Sequence, residues 1–359
     1  MNLEIIVDLG FGDSGKGMLV NNLCLSLDPE KTLVVRYCGG PQAGHNVKHD
    51  KIQHCFSNFG SGTLLQVPTY WSQYCLLDPF TSELERIKLR GYGIEPSIIY
   101  SPLCELITPL DVWYQRQNSQ NREHGTVGVG IKSALDRIKN GYHLTILDAL
   151  NIFVLREKLK SIQDNYYGFT GLTTNETNID KWACFINKYV ESVEIKAFPE
   201  IVRDYENIVF EGSQGILLDQ TYGVMPWCTP SDVTSKNALK LIEEAGLETS
   251  FIDFFYVTRP YITRHGPGPL LCDSEVLNIE DPNNQYNEYQ KSFRSCKLSP
   301  DLLMHSLRID SMANKHYKYM TRKTYIVFSH GLELDPELEK AVKNKTGLEI
   351  LKFEYETWL

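Results

Sequence analysis

Apolar residues come along this chain in short uninterrupted runs, separated by stretches in which they recur every three or four positions. The first run, LEIIVDL (3–9), leads into a glycine-rich stretch, GFGDSGKG (10–17), and then into MLVNNLCLSL (18–27), whose apolar spacing is helical. That order predicts strand, glycine loop and helix, the opening of an α/β domain. TLVVRY (32–37) predicts the next strand and runs into a second glycine-rich turn, CGGPQAGHN (38–46). Further runs at 97–101, 207–212, 251–257 and 324–329 predict strands, and helical spacing at 82–90, 177–195, 232–245 and 334–343 predicts helices between them. The expected fold is α/β: a single large domain over 1–359, a mostly parallel central sheet flanked by helices, with loop insertions. Two segments break the alternation. HGTVGVGIK (124–132) reads as a further ligand loop, and the polar stretch 271–295 predicts a long mobile loop.

Composition narrows the function classes. With 42% hydrophobic residues, the 359-residue chain can bury a sizeable core. A net charge of −9 argues against a broad basic face for nucleic acid, but small anions can still be held by local cations and backbone N–H groups. The nine cysteines include no CxxC pair and no zinc-like grouping with histidine, which predicts reduced thiols in a cytoplasmic protein. The chain starts on a strand-like run with no basic leader, and no apolar stretch approaches the roughly 18 residues of a membrane span. A soluble protein without a membrane partner is expected.

Gly10, Gly15 and Lys16 satisfy G-x-x-x-x-G-K, in which backbone N–H groups cradle phosphates and the lysine meets their terminal oxygens. The next position is Gly17, where an ordinary phosphate loop carries a serine or threonine for magnesium. Asp13 is therefore the candidate metal ligand or acid–base group; the bland alternative is a tight turn with a solvated Asp–Ser–Gly. His45 closes the second glycine turn, where Gly39, Gly40 and Gly44 let a ligand approach the backbone. In open α/β sheets ligands sit at the carboxyl ends of the strands, which makes His45 a catalytic candidate as well as a structural one.

GFGDSGKG, VVRYCGGPQAGHNV, FEGSQGILLD and TRHGPGPL closely resemble, in this order and at similar spacing, the signature segments of adenylosuccinate synthetases. The chain is shorter than typical bacterial members and closer to compact archaeal and phage-encoded ones. The resemblance implies a P-loop-related fold, Mg²⁺ as cofactor and a cytoplasmic homodimer (in the host cytoplasm if phage-encoded). The implied reaction is a ligation of L-aspartate to C6 of a 6-oxopurine nucleoside monophosphate, through a 6-phosphoryl intermediate and with hydrolysis of a nucleoside triphosphate. By the same resemblance, Asp13 takes the purine N1 proton and ligates Mg²⁺, and the Gly44 carbonyl is a second metal ligand. His45 is the acid that stabilises charge on O6 as it attacks the γ-phosphoryl group, and Lys16 meets the phosphoryl oxygens. Gly12, Ser14, Gly15, Lys16, Gly17 and Gly44 are the implied nucleotide phosphate site. Gln42, Thr126, Val127, Gln214 and Thr234, with Asp13, are the implied purine monophosphate site. Arg294, then Lys291, is implied for the aspartate carboxylate, and Ser306, Arg308 and Gly331 for the base of the triphosphate.

Several positions depart from the family pattern. Val127 stands where the family has a phosphate-binding threonine and Val129 where it has an arginine. Arg137 and Lys139 are the nearby candidates for an arginine that crosses between subunits. Ser14 replaces an acidic residue, which leaves room for the exocyclic amino group of a guanine-type base. The lysine–x–aspartate element of GTP-using members matches HSLRIDS (305–311), where Ser306 and Arg308 take its positions and Asp310 is two residues out of register. ATP or dATP is the donor this implies. Both departures occur in phage-encoded members that join aspartate to dGMP on the path to 2-aminoadenine DNA, although the best-known of these carry serine in place of Asp13. The resemblance thus implies dGMP first and IMP second. A non-catalytic purine-nucleotide-binding regulator and a P-loop kinase are the readings from other classes: the first has no reason to keep Asp13, Lys16 and His45 together, Gly17 disfavours the second, and phosphate release that depends on aspartate would separate the ligase from both.

Overall fold

A strand covered by helices on both faces is apolar along its whole length, and β1 (Asn2–Asp8) is buried from Leu3 onward except at Glu4. In the computed structural model, which describes residues 1–117, 128–168, 176–272, 276–277, 279, 293–329 and 334–353, β1 lies near the centre of a nine-stranded sheet. The other strands are β2 (Thr32–Arg36), β3 (Thr69–Trp71), β4 (Ile98–Tyr100), β5 (Glu194–Ile195), β6 (Asn207–Glu211), β7 (Phe251–Thr258), β8 (Met320–Phe328) and β9 (Glu349–Lys352). Their order is β9-β8-β7-β1-β6-β2-β3-β4-β5, and every neighbouring pair is parallel. All six predicted strands are present. The three unpredicted ones, β3, β5 and β9, are too short to form a recognisable apolar run.

The helices include α1 (Lys16–Leu25), α2 (Pro79–Gly91), α3 (Ile131–Lys139), α4 (Glu176–Glu191), α5 (Lys236–Glu244), α6 (Pro300–Asn314) and α7 (Pro336–Thr346), besides Pro109–Gln117, Ile152–Ser161 and shorter turns. Several starts are written locally. Asp78, Ser299 and Asp335 each accept a hydrogen bond from the N–H two residues on, and each is followed by proline. Among the described residues no helix is long and apolar enough to cross a membrane.

β1 has β7 on one side and β6 on the other, with β2 beyond β6. The loops that leave these four strands at their carboxyl ends therefore converge on one crevice. Two peripheral pieces border it: a hairpin of 45–49 with 52–56, and a small antiparallel sheet of 261–264, 294–297 and 276–277. The small sheet corrects one expectation. Cys272 and Cys296 are joined in a disulfide, while the other seven cysteines are free. Strand 294–297 returns alongside 261–264 and brings the two thiols together, which spacing along the chain does not reveal. Most of the predicted loop 271–295 lies outside the described residues.

Candidate active site

The phosphate loop is organised by the last residue of β1. The buried Asp8 carboxylate accepts from Gly10 N at 2.7 Å, Ser14 N at 3.0 Å and Lys16 Nζ at 3.1 Å. Lys16 also donates to the Gly12 carbonyl at 2.9 Å, so its ammonium sits inside the loop it belongs to. Gly17, the second residue of α1, packs against the end of the second glycine turn. A Cβ there would stand 2.7 Å from His45 Cβ and 2.8 Å from Ser61 Oγ. The serine or threonine of ordinary phosphate loops is missing because His45 occupies its space. The loop after β6 approaches just as closely: a Cβ on Gly215 would fall 2.2 Å from the Gly10 carbonyl oxygen.

His45 is held by Glu211, the last residue of β6. Nδ1 lies 2.5 Å from Glu211 Oε1, and the Ser61 N–H donates to Oε2 at 3.0 Å while the Ser61 hydroxyl donates to Oε1. Burial pushes the imidazole down to about 4, against the pull of Glu211, and Arg36 and Lys16 add to the depression. Burial by itself would raise Glu211, but His45, Arg36 and Ser61 outweigh it and hold the carboxyl at about 2. An ionised carboxylate fixes the tautomer of a neutral ring, with the proton on Nδ1. Nε2 is then a lone pair, buried and without a hydrogen-bond partner among the described residues.

Asp13 is the loop's half-buried carboxylate, with 34% of its side chain accessible. Its Oδ2 lies 3.2 Å from His265 Nε2, and its main-chain carbonyl accepts from Arg259 Nε. Burial opposes ionisation, but the hydrogen bond from His265 and the charges of His265, Arg259 and Lys16 hold the carboxyl below its ordinary range. Gln42 carries an amide whose oxygen and nitrogen are both buried and unpartnered among the described residues.

Asp13, Gln42, Gly44, His45 and Gln214 all border one cavity of about 430 Å³, together with Gly12, Arg264 and His265. The arrangement sets an anionic carboxylate, a neutral imidazole and two carboxamides around a space of nucleotide-ligand size, beside a phosphate loop. Among the described residues no group of three or more His, Cys, Asp or Glu side chains could hold a metal. One carboxylate and the exposed Gly44 backbone suit an ion that takes most of its ligands from phosphates and water, as Mg²⁺ does.

Other predicted residues fall elsewhere. Ser14 is buried with its N–H on Asp8 and its carbonyl on the Ser329 hydroxyl, and it is not in the cavity wall. The expected room beside the purine is therefore not made by Ser14. The Thr234 hydroxyl is buried against Asp232 at 2.8 Å. Arg294 donates to the Gly266 carbonyl at 2.6 Å, opposite Arg264 in the small sheet. Arg137 is not available as a crossing arginine: it is fully buried, with Nε 2.9 Å from Asp111 Oδ1 and Nη2 2.7 Å from the Leu106 carbonyl. Lys139 is exposed at the end of α3.

HSLRIDS is the middle of α6 and lines no part of this cavity. Ser306 is buried with its hydroxyl on the Leu9 carbonyl at 2.8 Å, and Arg308 is on the exposed side. Asp310 is buried and takes Ser235 N, Ser235 Oγ and Tyr256 Oη, each at 2.7 Å. On this inner face Ser306 ties the helix to the residue before the glycine loop, and Asp310 ties it to Ser235 and Tyr256. Thr126, Val127, Lys291 and Gly331 lie outside the described residues.

Asp8, Glu211, Arg259, Arg264 and His265 contribute to the site without having been singled out in the sequence. A signal exists for two of them: Asp8 and Glu211 are the acidic residues that end the buried strands β1 and β6. Arg264 and His265 were inside TRHGPGPL. Burial, with Arg294 beside it, pushes the Arg264 guanidinium down to about 10.

A family model described as adenylosuccinate synthetase matches residues 5–296. Among curated proteins, the adenylosuccinate synthetase of Shewanella amazonensis is 28% identical over 294 residues, covering 76% of this chain and 65% of that protein. That of Thermodesulfovibrio yellowstonii is 28% identical over 309 residues, covering 80% and 69%. The chain thus spans about two thirds of the length of these relatives. Two solved structures share the fold at 15% identity. Fully ligated adenylosuccinate synthetase from Plasmodium falciparum superposes with a TM-score of 0.72, covering 92% of this chain and 77% of that one. Cyanophage S-2L succinoaminodeoxyadenylate synthetase, bound to dGMP and dATP, superposes with a TM-score of 0.66, covering 98% and 92%.

Proposed function

The chain belongs to the adenylosuccinate synthetase family, and from that membership we propose that it joins L-aspartate to C6 of a purine nucleoside monophosphate, with dGMP as the substrate and ATP or dATP as the phosphoryl donor. The observation that carries the reading is the pairing, across one cavity, of an ionised Asp13 with a His45 whose Nε2 has no protein partner. Asp13 takes the N1 proton of the 6-oxopurine, which leaves the electron pair to O6 for attack on the γ-phosphorus; the bond from that phosphorus to the bridging oxygen breaks and the nucleoside diphosphate leaves. His45, turned by Glu211, sets Nε2 toward the charge that develops on O6 and carries a proton there once bound phosphate favours the imidazolium. Lys16 and the N–H groups of the loop receive the phosphoryl oxygens. The amine of aspartate then adds at C6 and phosphate leaves. Mg²⁺, held by Asp13 and the Gly44 carbonyl, would neutralise charge on the transferring phosphoryl group.

The choice of dGMP is supported by extent. The chain is nearly coextensive with the cyanophage enzyme, whose structure holds dGMP and dATP, covering 92% of it against 77% of the Plasmodium enzyme. Neither Ser14 nor the HSLRIDS segment contributes to that choice, given where each lies. IMP is the second reading, favoured by the higher TM-score to the Plasmodium adenylosuccinate synthetase, 0.72 against 0.66, at equal identity.

The test offers dGMP, GMP and IMP separately to the purified protein with Mg²⁺, ATP and L-aspartate, and weighs the products. A succino-adduct of dGMP and not of IMP is expected; an adduct of IMP alone would replace dGMP by IMP. Phosphate release that does not require aspartate would remove the ligase reading altogether.

A further inference from the structure

The segment that leaves β7 grips the phosphate loop at two points, both on the proposed base. Arg259 Nε donates to the main-chain carbonyl of Asp13, and His265 Nε2 meets the Asp13 carboxylate at 3.2 Å. His265 follows the strand 261–264 and borders the same cavity as Asp13. Its own position is fixed from the other side of the small sheet. Arg294 donates to the carbonyl of the next residue, Gly266, at 2.6 Å, and the Phe293 ring lies 5.1 Å from the imidazole, centroid to centroid.

A partly exposed carboxylate on a loop has two side-chain torsions to settle. A general base must keep one lone pair within hydrogen-bond reach of the proton it takes. Arg259 fixes the backbone of Asp13 but not those torsions. Resting on the reading above, we propose that His265 is a positioning residue for Asp13: it occupies Oδ2 and so presents Oδ1 to the purine N1–H. The contact needs only an N–H at Nε2 and therefore does not depend on the charge of the ring. In the step itself the N1 proton passes to Asp13 Oδ1, the N1–H electron pair moves toward O6, and the His265 proton stays on Nε2. Asp8, Glu211 and Lys16 do not substitute for this contact, because each is committed elsewhere: Asp8 to the loop N–H groups, Glu211 to His45 and Lys16 to Asp8.

The experiment compares His265→Leu with His265→Gln, whose amide Nε2–H can reach the same oxygen. Aspartate-dependent phosphate release is followed at saturating substrates, purine nucleotide affinity by calorimetry, and folding by thermal melting. For His265→Leu, kcat is expected to fall about 10- to 100-fold, with nucleotide Kd and KM within about threefold of the unsubstituted protein. His265→Gln is expected to recover most of the loss. Should His265→Leu not fold, His265→Asn, one methylene too short for the contact, takes its place. An unchanged kcat in the Leu (or Asn) variant, a loss carried by KM alone, or a Gln variant as slow as Leu would each overturn the proposal. An unsubstituted protein that releases no aspartate-dependent phosphate would instead overturn the proposed function on which it rests.

Discussion

Glu211 holds His45 Nδ1 at 2.5 Å, and the Nε2 opposite is buried with no partner among the described residues. In the ligand-free protein this ring is neutral, since burial lowers it from its ordinary 6.5 to about 4. An anionic phosphate beside Nε2 favours the imidazolium and moves the value back up. Nucleotide binding should therefore take up a proton at any pH above the ligand-free value and below the bound one. Calorimetric titration at about pH 6, in buffers of different ionisation heat, should show uptake approaching one proton. Binding heats independent of the buffer would remove His45 from the phosphoryl site.

A second titrating group concerns stability. Glu4 is the one partly exposed position in the β1 run, and one of its carboxylate oxygens is buried without a partner among the described residues. It stands opposite Asp253 of β7. Burial first, and then Asp253, raise it to about 7, with Arg322 opposing. A carboxyl whose folded value is raised stabilises the protein below its ordinary pKa near 4.5 and loses that contribution as pH rises through 7. Glu4→Gln should therefore raise the melting temperature at pH 8, by an amount on the order of 2 kcal/mol in stability, with little gain at pH 4.5. An equal shift at both pH values would sink this account.

Gly17→Ser would restore the residue that ordinary phosphate loops carry. The added Cβ meets His45 Cβ at 2.7 Å, so either α1 or the His45 turn must move. Overpacking of this kind costs about 1–3 kcal/mol, and here it also displaces the imidazole. Loss of both melting temperature and kcat is expected. A serine variant that keeps both would show that the missing serine has no steric cause.

How far the sequence could be read follows from what each feature depends on. Strands buried on both faces are legible as apolar runs, so β1, β2, β6 and β7, whose carboxyl ends build the site, were all visible. Glycine loops advertise close backbone approach, which points to Asp13 and His45; Gln42, Gly44 and Gln214, which share the cavity, are reached only through the family resemblance. Contacts between segments far apart in sequence are different. Nothing local announces that Glu211 meets His45 across 166 positions, or that His265 meets Asp13. HSLRIDS shows the converse: it matches a motif along the chain, but its helical spacing buries Ser306 against the Leu9 carbonyl and Asp310 against Ser235 and Tyr256.

Arg137 separates a structural cation from a ligand-binding one. Its guanidinium is bonded to Asp111 and to the Leu106 and Tyr142 carbonyls, and the Tyr167 hydroxyl completes the cluster by donating to Asp111 at 2.6 Å. Removing one partner of a buried pair leaves the other charge without compensation, which costs about 3–5 kcal/mol. Arg137→Gln should therefore lower the melting temperature by several degrees, and Asp111→Asn should do the same, while KM for the purine monophosphate stays unchanged in whatever fraction folds. An arginine that reaches a substrate phosphate behaves in the reverse way. Its loss raises KM about tenfold or more, leaves melting nearly untouched, and is not mimicked by Asp111→Asn. That second pattern, observed by melting and steady-state kinetics on the same two variants, would return Arg137 to the nucleotide site.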